Sequence, residues 1–197
     1  MLRVLQIANG YFQSDLYARM FEKMNHVGIV SEVYVPLANG SELPVGVSEN
    51  IHISRNYSQL DRILFFKKQK HLIHDLLPYI KQDDVIHAHT LFSAGYAAWK
   101  LYQQYGIPYI VAVRNTDVNV FFKYMLHLRR KAFHIGVRVM QDASCVIFLS
   151  PAYREHVLST YVPTSLQQCI REKSRVIPNG IDDYFLNNLP EPRSGVS

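Results

Sequence analysis

Ser174-Arg-Val-Ile-Pro-Asn-Gly-Ile-Asp182 is the stretch from which the rest of this 197-residue chain can be read. Val176 and Ile177 close a short apolar strand. Pro178 has no N–H to give to a ladder, so pairing stops there. Asn179-Gly180 is a turn pair that tolerates positive φ. Asp182 and Asp183 are placed to cap whatever follows. The local message is a strand that ends at the edge of something larger.

Working outward, strands alternate with helices. Residues 2–8 read as a buried strand, followed by Asn9-Gly10. A helix from about Ser14 follows, with Leu16, Met20, Met24 and Val27 at helical spacing and Gly28 as its stop. Val30–Pro36 and Ile51–Ser54 read as strands, with a turn-rich loop over 38–46. Apolar positions from Leu60 to Ile80 mark one long helix or two broken ones. Val85–His89 is the next strand, backed by a helix from Ala94 to Tyr105 that Gly106 ends. Pro108–Val113 is a strand, 118–141 a helix, and Ser144–Leu149 a strand. Ser150-Pro151 caps a helix near 152–160, and another run spans 165–172. This order predicts βαβ crossovers: a Rossmann-like, doubly wound α/β fold with about six or seven mainly parallel strands and helices on both faces.

In such a sheet the working residues lie just past the carboxyl ends of the strands. That rule selects Asn9-Gly10, His87-Ala-His89, Arg114-Asn-Thr-Asp117 and Ser150. His87 and His89 point the same way along a strand. They could share a metal, but no third ligand stands near in sequence; the other reading packs one in the core and leaves one at the strand end. Arg114, Asn115, Thr116 and Asp117 form a dense set of donors and acceptors, as a desolvated hydroxyl or oxyanion requires. Equally, Asp117 could simply cap the next helix. A single glycine after the first strand argues against a dinucleotide fingerprint or a phosphate-cradling P-loop.

Composition narrows the classes. With 48% hydrophobic residues the chain can build one sizeable core. No apolar run approaches the roughly 18 residues of a membrane span, and no signal peptide is read at the start. Cys145 and Cys169 form no staple pattern, which predicts a reducing, cytoplasmic setting. A net charge of +5 points to anionic partners. The segment 118–141 has no acidic residue. Phe121, Met125, Leu128, Ala132, Ile135 and Val139 make an apolar seam, and Lys123, His127, Arg130, His134 and Arg138 a cationic stripe opposite it. The stripe is either a solvated back or a surface for anionic lipid or an anionic acceptor. Arg62, Lys67, Lys68 and Lys70 make a second basic patch. No nucleic-acid-binding wording is present.

Three separated stretches carry a resemblance: Asp84-Val-Ile-His-Ala-His89, Arg114-Asn-Thr-Asp117 and Val176-Ile-Pro-Asn-Gly-Ile-Asp182. They resemble retaining family 4 glycosyltransferases, as does Asp142–Ser150. The resemblance implies an acceptor-binding N-terminal domain of a GT-B fold over 1–186. Residues 187–197 would be a polar tail leading toward a C-terminal donor-binding domain. It implies transfer of a sugar from a nucleotide-sugar to a sugar or lipid-linked hydroxyl acceptor, with retention, in polysaccharide or glycolipid biosynthesis. The nucleotide-sugar is a co-substrate, and neither a cofactor nor a metal is implied. Family members carry His-Gly-x-Asp or Arg-Gly-Thr-Asp at the second stretch, so the match falls on Arg114, Thr116 and Asp117, with Asn115 in place of glycine. By resemblance Arg114 and Asp117 are the catalytic candidates. His89, Asn115 and Thr116 bind acceptor, and Asn9 and Gly10 stand where a Gly-Gly pair would approach donor phosphate. Arg114 cannot serve as a base, but it can hold an acceptor or a developing phosphate charge. The expected location is the cytoplasm, with peripheral contact at the inner membrane face. A stand-alone carbohydrate- or anion-binding domain and half of a sugar-nucleotide epimerase are the other classes open.

Overall fold

Strands rich in Val, Ile and Ala, separated by amphipathic helices, pair as a single parallel sheet in the computed structural model, which describes residues 2–13, 15–42, 47–58, 64–81, 84–118 and 134–180. The strands are β1 (Leu2–Ile7), β2 (Ile29–Ala38), β3 (Ile51–Tyr57), β4 (Val85–Ala88), β5 (Tyr109–Val113), β6 (Cys145–Phe148) and β7 (Ser174–Val176). Their order is β3-β2-β1-β4-β5-β6-β7, and every pair is parallel. The expected doubly wound α/β sheet is therefore present.

The helices are α1 (Leu16–His26), α2 (Phe65–Leu76), α3 (Ser93–Tyr105), the single turn α4 (Asn115–Val118), α5 (Ile135–Asp142), α6 (Pro151–Tyr161) and α7 (Thr164–Glu172). From β1 the chain first steps outward to β2 and β3, then returns to β4 and continues the other way. Right-handed crossovers place helices of opposite steps on opposite faces. Packing shows this division. Leu5, Ile7, Ile86, Ala88, Val111, Val113 and Phe148 form the large core with residues of α2, α3, α5, α6 and α7. Ala8, Val33 and Val35 pack with Phe21 of α1 on the other face.

Several boundaries depart from the sequence reading. β2 runs through Pro36 to Ala38, and its register against β3 shifts between these two residues. Of the helix read over 118–141, residues 119–133 lie outside the described residues; His134 has φ 49°, a left-handed conformation no helix interior accepts, and α5 begins at Ile135. His134 and Arg138 are described; Lys123, His127 and Arg130 of the stripe lie outside the described residues, as do Arg62, Asp182, Asp183 and the 186/187 boundary. Helix ends follow local chemistry as expected. Gly106, with φ 73°, returns its N–H to Tyr102 O at 2.8 Å after α3. Ser150 Oγ accepts from Tyr153 N at 3.2 Å at the start of α6. Cys145 is only partly buried and Cys169 is exposed; both are free thiols.

Candidate functional site

Alternation along β4 turns Ala88 into the large core and His87 and His89 to the opposite face, beneath α1. His89 is fully enclosed. Gln6 uses its amide N–H on Ser31 Oγ (3.2 Å), so its Oε1 accepts from His89 Nε2 (2.9 Å). That places the imidazole proton on Nε2 and leaves Nδ1 a buried acceptor without a partner among the described residues. Tyr17 and Phe21 of α1 close over the ring, at centroid distances of 5.0 and 5.6 Å. His87 lies against it, with ring centroids 4.0 Å apart, and among the described residues His87 Nε2 is also buried without a partner.

Neither ring carries charge at neutral pH. Burial, helped by the Arg114 cation, pushes His87 down to about 4. Burial, then His87 and Arg114, holds His89 well below the usual histidine range. A group so weakly basic is a poor general base near neutrality. The two rings offer hydrogen-bonding nitrogens instead.

Arg114 follows the last residue of β5. Its Nε donates to His89 O (3.4 Å) and its Nη1 to Asn179 Oδ1 (2.8 Å). Its carbonyl accepts from Tyr153 Oη (2.7 Å), a phenol whose ionisation burial pushes upward. Asp117 has a different place. Its Oδ2 accepts from Arg114 N (2.8 Å) and Leu91 N (3.1 Å), tying the turn after β5 to the turn after β4. Asn115 is exposed at the start of α4, and Thr116 lies in the same turn. At the first loop, Tyr11 N donates to Ala8 O (3.2 Å) and Gln13 N to Gly10 O (3.0 Å), forming a tight turn. Asn9 Oδ1 is buried there without a partner among the described residues.

A cavity of about 1070 Å³ lies between α1 and the β4–β6 part of the sheet. Leu16, Met20, Ile110, Ala112 and Ile147 make its walls apolar; His87, His89, Arg114 and Asn179 also line it. The structure thus brings together Arg114 and His89 of the expected residues. Asn9, Gly10, Asn115 and Asp117 do not line this cavity. His87 and Asn179 join it without having been picked for this role. For His87 the signal was the two-residue alternation with His89; for Asn179 only its turn-forming neighbour Gly180 was readable. No group of three or more His, Cys, Asp or Glu that could hold a metal occurs among the described residues.

A parallel sheet with polar residues gathered past its carboxyl edge defines a Rossmann-like α/β protein with a candidate ligand site at that edge, and comparison narrows it. Residues 19–184 match the description of Glycosyltransferase Family 4, and the chain belongs to that family. Among solved structures it is similar to "Trehalose-6-phosphate from E. coli bound with UDP-2-fluoro glucose", with a TM-score of 0.55 and 13% identity over 92% of this chain and 50% of that one. It is also similar to apo UGT2 of Phytolacca americana, with a TM-score of 0.47 and 10% identity over 96% of this chain and 56% of that one. The chain spans about half the length of these structures. Its fold is the Rossmann-like half of a GT-B glycosyltransferase. No match is found among curated proteins.

Proposed function

We propose that this chain is the acceptor-binding N-terminal half of a glycosyltransferase that moves a sugar from a nucleotide-sugar to a hydroxyl acceptor with retention, in polysaccharide or glycolipid biosynthesis at the cytoplasmic face of a membrane. The observation that supports it is Arg114. It is a cation past the end of β5 that lines the cavity beside the neutral rings of His87 and His89, while the other charged lining residues, Asp15, Arg19, Glu22 and Lys23, lie at or on α1. Such a group attracts an oxyanion or the oxygen of an acceptor and can hold charge that develops in transfer. His87 and His89 supply neutral partners for an acceptor hydroxyl. Asp117 holds the arginine's backbone in place through its two N–H contacts.

In this reading the donor base, ribose and most of the donor phosphates are held by a second domain, and the 197-residue chain alone transfers no sugar. It also binds nucleotide-sugars weakly, because one wall of a cleft desolvates little of a ligand. Calorimetric titration with a panel of nucleotide-sugars tests this. Dissociation constants well above about 1 μM are expected; tighter binding would overturn the division of labour.

A further inference from the structure

In the first turn of α6, the Tyr153 ring meets Phe148 of β6 edge-on, with centroids 6.4 Å apart. That packing asks only for a ring, which phenylalanine would supply equally well. The hydroxyl has a separate destination. Tyr153 Oη donates to Arg114 O at 2.7 Å, across 39 positions of sequence, and a backbone hydrogen bond from Val118 reaches the same phenol. Arg114 stands just before α4 and Val118 at its end, so one phenol closes this turn from both sides. Four residues are too few to hold a helix by their own hydrogen bonds, and the turn needs such outside support. Asp117 Oδ2 already holds Arg114 N, and Tyr153 holds Arg114 O. Both peptide groups flanking the Arg114 Cα are thus fixed, and with them the direction in which its side chain departs.

We propose that Tyr153 is a positioning residue for Arg114, acting through the α4 turn to set where the guanidinium sits beside His87 and His89. Tyr153 does not line the cavity, so it acts on the site only through the arginine. The guanidinium's own contacts are insufficient to fix it. Its bond from Nε to His89 O is long, at 3.4 Å, and its other partner, Asn179, is exposed. The aim therefore depends on the backbone. A charge-stabilising group displaced by about 1 Å can lose roughly a hundredfold in rate, which gives the hydroxyl a use beyond packing. That use rests on the proposed transfer reaction, but the guanidinium's position can be read without donor or acceptor, so the two fail separately.

Tyr153→Phe in the 197-residue chain tests this beside a matched control, Tyr109→Phe. Tyr109 Oη also donates to a backbone carbonyl, Val139 O at 2.6 Å, but at the opposite end of β5 from Arg114. Nuclear magnetic resonance follows exchange of the Arg114 Nε–H with water and the protonation of His87 on acidification. In Tyr153→Phe the Nε–H should exchange roughly fivefold faster, as expected for one lost hydrogen bond. The His87 midpoint should rise from about 4 toward the ordinary histidine value as the cation moves away. Tyr109→Phe should change neither. Phenylalanine keeps the ring packing at both positions, and thermal melts verify that both variants fold. Either readout unchanged in Tyr153→Phe, or an equal change in Tyr109→Phe, would overturn the proposal.

Discussion

His89 carries its proton on Nε2 because Gln6 accepts there, and the adjacent His87 is pushed to about 4 by burial and the nearby guanidinium. Both shifts have a stability consequence. Below the unfolded value near 6.5, the unfolded chain takes up protons that the folded chain refuses. Stability contributed by the neutral rings is whole above pH 6.5 and is lost as pH falls toward 4. The slope should reach at most about 1.4 kcal/mol per pH unit for each ring. Urea midpoints between pH 7.5 and 5 should drop, and His87→Leu should flatten the curve; a flat wild-type curve would refute the assignment. Arg114 and Asp117 separate by another measurement. Asp117→Ala strands two backbone donors and should cost about 2 kcal/mol, while Asp117→Asn keeps one acceptor oxygen and should cost about 1. Arg114→Lys cannot reproduce the fork and should leave the melt nearly unchanged, yet lower turnover of the complete enzyme roughly a hundredfold. The dense Arg-Asn-Thr-Asp stretch announced a polar turn. Its division into a positioning carboxylate and a cavity-facing guanidinium was not legible, since that depends on Leu91 and Asn179, distant in sequence.

Helix packing depends on two close approaches. A Cβ on Gly95 would meet Thr90 O and Val139 Cγ1 at 3.0 Å, and one on Gly136 would meet Tyr161 Oη at 2.6 Å and Leu91 Cδ2 at 3.0 Å. Neither glycine has a positive φ, so the reason for glycine is space. Alanine at either site gains helix propensity but forces a packed neighbour to move, for a net cost of about 1–2 kcal/mol. Melting temperatures should fall by roughly 2–8 °C; unchanged melts would show that α3 and α5 can shift freely. At this scale most elements could be read from period and punctuation, including the stops at Gly28 and Gly106 and the cap at Ser150. The break at His134 could not, because an apolar seam from Phe121 to Val139 keeps helical spacing whatever one residue's φ does. The strand read as Val30–Pro36 ends two residues later, at Ala38, past a register shift against β3 that no local pattern announces.

Across the whole molecule, the sheet is tied together far from the site as well. Asp84, 2% exposed, accepts from Arg3 Nη1 and from Lys81 N, and Arg3 Nη2 donates to Tyr79 O. This joins the amino ends of β1 and β4 across 81 residues. Asp84→Ala leaves the guanidinium with its closest counter-charge removed and should lower stability by about 3 kcal/mol, read from denaturant midpoints. A loss under about 0.5 kcal/mol would place Arg3 in solvent. The parallel sheet of about seven strands was legible from the alternation of strands and helices, whereas its strand order was not read from the sequence. Pairings such as Arg3 with Asp84, or Trp99 Nε1 with Asp142 at 2.7 Å, join residues whose separation no local pattern encodes.

The bond from Arg114 Nη1 to Asn179 Oδ1 spans 65 positions and ends on the residues that leave β7. Nη1 carries two N–H groups, and a ligand oxygen that takes the one now held by Asn179 displaces that side chain, so ligand and loop compete for one donor. Competition of this kind is reciprocal: whatever fills the site loosens residues 178–180, and whatever tightens those residues weakens the ligand. Asn179→Ala should accordingly bind an anionic or hydroxylated ligand at Arg114 more tightly than the parent, by roughly fivefold for a hydrogen bond of about 1 kcal/mol. Weaker binding in a titration would mean that Asn179 helps hold the ligand instead of opposing it. The exit from the last strand is thus a sensor of occupancy, in equilibrium with the site from which it departs.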